Sequence, residues 1–145
     1  NSNFSNISFI HGVITRNDLV NCNFSHSNFT DSRIDTFYEI KWCNFYKFTF
    51  YRSIIDVSTK FIECNFAEAD FRLAQFVFNN GERRNLDKKP LFLNCNFTNA
   101  NLTGIKHLNN AAFTDSNMAG AKIERKWYEY VKKQGVRNFD KIQWQ

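Results

Sequence analysis

The chain has 145 residues, enough for one domain with a hydrophobic core, and its formal net charge is +5. It contains 17 Phe but only 5 Gly and one Pro, and it has four Cys. No apolar run approaches the roughly 18 residues that a membrane span needs, and four Cys in a chain of this length do not make a disulfide framework. The composition therefore argues against a membrane protein and against a small disulfide-stapled domain.

The chain opens with NSNFSNISFI, which lacks an initiating Met and lacks a basic start followed by a long apolar stretch. This opening is not a signal-peptide pattern, although a signal already removed stays open. Because it follows the same pattern as later segments, we expect further sequence upstream of residue 1.

A five-residue repeat begins at once and is marked by the tripeptide CNF at Cys22, Cys43, Cys64 and Cys95. Each unit has a small residue, then often Asn or Asp, then a large apolar centre and two mostly polar residues. A period of five matches neither the helical period of about 3.6 residues nor the strand period of about 2. It indicates a solenoid whose flat sides are one short unit long.

Four units make one coil, because equivalent residues recur after 20 or 21 positions, or after 31 where the chain carries an insertion. In each coil after the first, the extra residue or the insertion falls at the same corner. Stacked coils give four columns of predicted inward-facing centres. The first is Phe4, Phe24, Phe45, Phe66, Phe97 and Met118; the second is Phe9, Phe29, Phe50, Phe71, Leu102 and Ile123; the third is Ile14, Ile34, Ile55, Phe76 and His107; the fourth is Leu19, Ile40, Phe61, Phe92 and Phe113. At the third column's last position, His107 or its neighbour Leu108 takes the inward place.

Two further columns accompany the first one. A column of small residues stands two positions before its centres, and an unbroken column of Asn stands one position before them. The small column is Ser2, Cys22, Cys43, Cys64, Cys95 and Ser116, and the Asn column is Asn3, Asn23, Asn44, Asn65, Asn96 and Asn117.

These units resemble the pentapeptide-repeat family, whose units are written A-(D/N)-(L/F)-X-X, over about residues 1–123. The resemblance implies an all-β solenoid, namely a right-handed, four-sided parallel β-helix of about six coils with small residues and centres facing inward. Phe48 and Tyr38 are bulky where the family has a small residue, and Ile7 and Ile105 are milder departures. We expect local widening of the coils at these positions.

Two segments depart from the repeat. The polar stretch 79–90 predicts an exposed loop inserted at the bulged corner. After Ile123 the period stops, and residues 124–134 have helical spacing with Gly135 placed to end the helix. We therefore predict a repeat domain over 1–123 and a C-terminal segment 124–145 that caps the solenoid, with the tail 136–145 either completing the cap or reaching a second subunit as a homodimer contact.

The excess positive charge lies outside the predicted coils. The repeats hold nine basic and nine acidic residues, the loop holds four and two, and residues 124–145 hold six and three. The basic residues of the loop are Arg83, Arg84, Lys88 and Lys89. We do not expect nucleic acid to be the partner, because basic residues in a polar loop usually serve to keep the loop soluble.

No catalytic, metal or cofactor site is predicted. The Cys ladder spreads its thiols along a line, whereas metal ligands must converge on one point, so we expect reduced, buried packing residues. His11, His26 and His107 are far apart, and no nucleophile and acid are selected beside any of them. We expect a protein that is not an enzyme and needs no cofactor.

The outward positions offer a candidate contact surface. Val20, Lys41, Ile62 and Leu93 each follow a centre of the fourth column and form a row that we call the exterior stripe. Trp42 stands beside it, and Tyr46 and Tyr51 belong to neighbouring faces. An outward Trp beside outward aliphatic residues is typical of a protein-binding site.

The sequence favours a non-enzymatic protein-binding scaffold in the bacterial cytoplasm, with the basic loop as a second candidate contact. The family resemblance implies an alternative, since members that confer quinolone resistance resemble DNA and bind DNA gyrase; the neutral coils count against it, because a DNA mimic should be strongly acidic. Two further alternatives are the solenoid module of a larger bacterial effector secreted into a host, and direct nucleic-acid binding through the basic loop and tail.

Overall fold

The structure is a computed structural model, and it describes residues 1–15, 18–35, 39–56, 59–77 and 91–145. The chain winds into stacked four-sided coils, and every strand pairing is parallel. The predicted fold class is confirmed, including the helix at the C-terminal end.

Two faces of the first four coils carry regular strands. Their centres are those of the third and fourth columns, and the two parallel sheets have the orders β1-β3-β5-β7 and β2-β4-β6-β8. The strands are β1 Val13–Thr15, β2 Leu19–Val20, β3 Arg33–Asp35, β4 Glu39–Lys41, β5 Ile54–Asp56, β6 Lys60–Ile62, β7 Gln75–Val77, β8 Phe92–Leu93, β9 Lys122–Ile123 and β10 Gln143–Trp144. The pair β9–β10 lies on the face of the second column. Ile14 pairs with Ile34 and Leu19 pairs with Ile40, as the columns predict.

The other two faces are narrower, and isolated bridges such as Asn44 to Asn65 and Thr49 to Asp70 hold them together. In these faces a turn follows each centre at once. The amide of Ala69, for example, donates to the Phe66 carbonyl at 3.1 Å. Because this turn takes up part of each five-residue unit, few residues remain to form a strand.

The corners require left-handed backbone. Sixteen described non-glycine residues have φ between 51° and 60°, and all but His107 and Asn138 stand two positions after a centre. Ten of them are Asn, Asp or His, the types that tolerate this conformation best, and none is β-branched. The left-handed backbone at these corners therefore explains why His11 and His26 occur two positions after a centre.

Stacked aromatic rings fill the interior. Phe66 lies between Phe45 and Phe97, with centroids 4.9 and 5.1 Å away and interplanar angles of 8° and 15°. Phe48 is accommodated between two centres of the second column, with its ring 4.7 Å from that of Phe29 and 4.2 Å from that of Phe50. Tyr38, the other bulky departure, lies outside the described residues.

The small residues and the Asn residues bond from coil to coil. The four Cys are free and buried, as predicted. The Cys64 thiol, for instance, donates to the Ile40 carbonyl at 3.3 Å. The Asn side chains form a continuous amide ladder with Nδ2 to Oδ1 distances of 2.8 to 3.4 Å, running Asn3, Asn23, Asn44, Asn65, Asn96, Asn117 and Asn138.

At the last bulged corner Leu108, and not His107, takes the inward place. Leu108 is buried, whereas His107 is exposed and has a φ of 60°. A 3-10 turn over Leu108–Asn110 lets the chain reach the next centre.

The C-terminal segment packs against the last coil, where the Met118 amide donates to the Arg137 carbonyl at 3.0 Å. The prediction of one helix over 124–134 was too long: a 3-10 turn at Arg125–Trp127 precedes helix α1, Tyr128–Lys132. Gly135, with a φ of 68°, then turns the chain back toward the coils. The tail returns to the last coil of its own chain, where β10 pairs with β9 and Ile142 is buried.

Candidate partner-binding surface

The exterior stripe forms one straight row. Val20, Lys41, Ile62 and Leu93 stand directly opposite one another on strands β2, β4, β6 and β8. Each follows a buried centre, so the alternation of a strand directs its side chain outward. Neighbouring residues of the row are about 4.8 Å apart, so the row is roughly 14 Å long. Val20 is 37% exposed, and the other three are partly exposed.

An ion pair neutralises the charge in this row. The Lys41 ammonium lies 2.5 Å from a Glu39 carboxylate oxygen, and the other Glu39 oxygen accepts from Lys60 at 3.3 Å. Hydrogen bonds from these two ammonium groups hold the pKa of Glu39 below its usual value. Lys41 therefore contributes its aliphatic stem to the stripe while its charge is compensated.

Trp42 is the most exposed aromatic side chain among the described residues, with 52% of its surface accessible. It occupies a left-handed corner directly after β4, with a φ of 54°. Its indole N–H donates to Glu63 Oε2 at 3.2 Å, which ties the ring to the next coil. A large aromatic ring held this way can enter a partner's pocket at little cost in side-chain entropy.

The two outward Tyr residues are engaged within the rod. The Tyr46 hydroxyl donates to Glu68 at 3.1 Å. The Tyr51 ring lies 5.2 Å from the Arg52 guanidinium and 5.5 Å from that of Arg72. They are less available than Trp42 for a partner. The four basic loop residues, Arg83, Arg84, Lys88 and Lys89, lie outside the described residues.

Sequence reasoning missed Leu73, which is 43% exposed at a left-handed corner with a φ of 60°. Its position two residues after the centre Phe71 is the signal that identifies it as outward. It lies on the second column's face, away from the exterior stripe.

The described part of the chain brings no three His, Cys, Asp or Glu side chains together in a way that could hold a metal ion. Within the same residues, no helix has the length and apolar character needed to cross a bilayer.

No family model matches the sequence, and no curated protein matches it. Solved structures do match. Two structures of trypsin-treated QnrB1, a plasmid-mediated fluoroquinolone resistance protein, align with 85% and 86% of this chain at 18% and 16% identity, with TM-scores of 0.44 and 0.49. The chain spans 57% and 59% of those two chains. HetL, a pentapeptide repeat protein involved in heterocyst differentiation regulation in the cyanobacterium Nostoc, aligns with 80% of this chain and 65% of its own at 14% identity, with a TM-score of 0.32.

The four-sided coils, the stacked centres and the parallel pairing define the chain as a β-helical solenoid. Its repeat and its coils are similar to those of the pentapeptide-repeat proteins, and the chain has the fold of a right-handed, four-sided β-helix.

Proposed function

We propose that the protein is a non-enzymatic scaffold that binds a protein partner through the exterior stripe and Trp42. The observation that carries the proposal is the 52% exposure of Trp42 beside a row of outward aliphatic side chains. Interface hot spots are enriched in Trp, and apolar neighbours that exclude water surround them. Binding of this kind requires no conformational change in the solenoid.

The rest of the surface supports binding over catalysis. Several charged side chains on the coils form ion pairs with one another, as in the pairs of Arg52 with Asp31 and of Arg72 with Asp70. The buried free thiols fit a reducing compartment such as the bacterial cytoplasm, where we place the protein.

The coils do not favour a DNA-mimicking role of the quinolone-resistance kind. A mimic of DNA presents rows of uncompensated carboxylates, whereas Asp31, Asp70, Glu39 and Glu68 each pair with a cation. A homodimer through the C-terminal segment stays a prediction.

The proposal is tested by affinity capture from an extract of the source cells, comparing the wild type with Trp42→Asn. Asn keeps the left-handed corner and removes the ring. We expect the captured partner's Kd to weaken by at least about tenfold, as for loss of an interface hot spot. Leu93→Ser should weaken the same partner by a smaller factor.

Leu73→Asn is the matched control, because Leu73 is also large, exposed and left-handed but lies on another face. It should leave binding unchanged. Equal binding by the wild type and Trp42→Asn would contradict the proposal. A partner lost only when residues 79–90 are deleted would assign the contact to the loop.

A further inference from the structure

Most cations of the C-terminal cap lack a carboxylate partner, whereas most of those on the coils have one. On the coils, carboxylates pair with Lys41, Lys47, Arg52, Lys60 and Arg72, and among the described residues they do not pair with Lys106 and Lys122. In the cap only Lys126 does so, with Glu124 at 3.0 Å. Among the described residues, no carboxylate pairs with the remaining basic side chains of the cap, which are Arg125, Lys132, Lys133, Arg137 and Lys141. This end of the rod therefore presents uncompensated positive charge.

An aromatic cluster lies among these cations. The rings of Tyr128, Phe139 and Trp144 contact one another with centroids 5.0 to 5.5 Å apart, and all three are partly exposed. The Arg125 guanidinium lies 5.8 Å and the Lys132 ammonium 5.9 Å from the centroid of Tyr128. We call these five residues the cap cluster.

The sequence elements that build the cluster are separated in the chain. Arg125 belongs to the 3-10 turn, Tyr128 and Lys132 to α1, Phe139 to the tail, and Trp144 to β10. Pairing of β10 with β9 holds the tail on the last coil, and the ring contacts of Tyr128 with Phe139 and Trp144 join it to the helix, so the arrangement is fixed by the fold. The exposed carboxylates Glu129 and Asp140 stand on the same segment and leave a net excess of positive charge.

From this juxtaposition we propose that the cap cluster binds single-stranded nucleic acid. Partly exposed rings offer stacking to unpaired bases, and adjacent Arg and Lys attract the phosphates; surfaces that bind single strands combine these two features. An acidic peptide would be attracted by the charge but would offer no bases to stack on the rings. A duplex has its bases paired and stacked inside the helix, so they could not stack on the rings. The neutral coils do not oppose this site, because it lies at the end of the rod and apart from the exterior stripe.

The test is the fluorescence anisotropy of a labelled 20-nucleotide poly(dT) titrated with the whole chain at low and at physiological salt. We expect salt-dependent binding, with the logarithm of the affinity changing by about 0.7 per phosphate contact for each tenfold change in salt. Arg125→Gln combined with Lys132→Gln should weaken binding at least tenfold and lower that slope. Trp144→Leu should weaken it about tenfold through lost stacking.

The matched control is Lys47→Gln combined with Arg52→Gln, which removes the same charge from exposed coil positions. It should change the affinity less than twofold. Absence of poly(dT) binding by the wild type at low salt would overturn the proposal, as would equal losses in the two double variants. Tighter binding of a poly-glutamate peptide, or of a duplex of the same length, would also overturn it in favour of a charge-only site.

Discussion

Removing one central ring should cost far more than removing the equivalent ring at the edge of the stack. Phe66 is fully buried, stacks on Phe45 and Phe97, and meets Phe61 and Phe92 edge-on at 5.3 and 5.6 Å. Phe66→Ala leaves a cavity that neighbouring coils cannot fill without breaking their pairing. We expect a loss of about 5 kcal/mol, the upper end for Phe→Ala, and a fall in Tm of roughly 10–20 °C.

Phe4 is the matched comparison, because it belongs to the same column. It is 38% exposed and stacks on Phe24 alone, at 5.0 Å. Phe4→Ala should cost about 1–2 kcal/mol, and Phe66→Leu should cost less than Phe66→Ala because it leaves a smaller cavity. Urea unfolding followed by circular dichroism measures all three free energies of unfolding. Equal losses for Phe4→Ala and Phe66→Ala would refute the stacked-ring account of stability.

Three further predictions follow from the columns and corners. Asn65→Ala should lower the free energy of unfolding by about 1–3 kcal/mol in urea titration, because Asn65 bonds to Asn44, to Asn96 and to the Ala67 amide; no loss would contradict the amide ladder. The native thiols should resist Ellman's reagent at pH 8 and react on unfolding, because burial and neighbouring sulfur raise the pKa of Cys43 and Cys64; rapid native reaction would show an open column. Gly104→Ala should lower Tm, since its φ is +71° and the new Cβ would lie 2.6 Å from Leu73 Cδ2; an unchanged Tm would contradict the corner geometry.

The sequence predicts the columns because each apolar centre has to meet its counterpart in the next coil. Ile34 and Ile55 pair as their spacing requires, and so do Phe61 and Phe92 across the inserted loop. The period also identifies which residues are outward. It does not show that the corners need left-handed backbone, because this demand constrains conformation and permits many residue types, Trp42 among them.

The cap was less predictable because the five-residue pattern stops at Ile123 and the chain then makes a 3-10 turn, a short helix and a reversal at Gly135. The tail nevertheless returns at the spacing of one coil, since Asn138 bonds to Asn117, 21 residues earlier, and Trp144 pairs with Ile123. The sequence did not predict the cap cluster, because its residues follow the end of the pattern. It did predict the exterior stripe, whose residues each stand one position after a centre of the fourth column.

Site-specific photo-crosslinking tests whether Trp42 contacts a protein partner. A photoreactive aromatic residue replaces Trp42 in one variant and Leu73 in another, and each is irradiated in extract of the source cells. We expect a discrete protein adduct at position 42 and none at position 73. Adding the wild-type protein, which carries no photoreactive residue, should compete for the partner and reduce the adduct. The same adducts at both positions, or none at position 42, would contradict a partner-binding surface at Trp42.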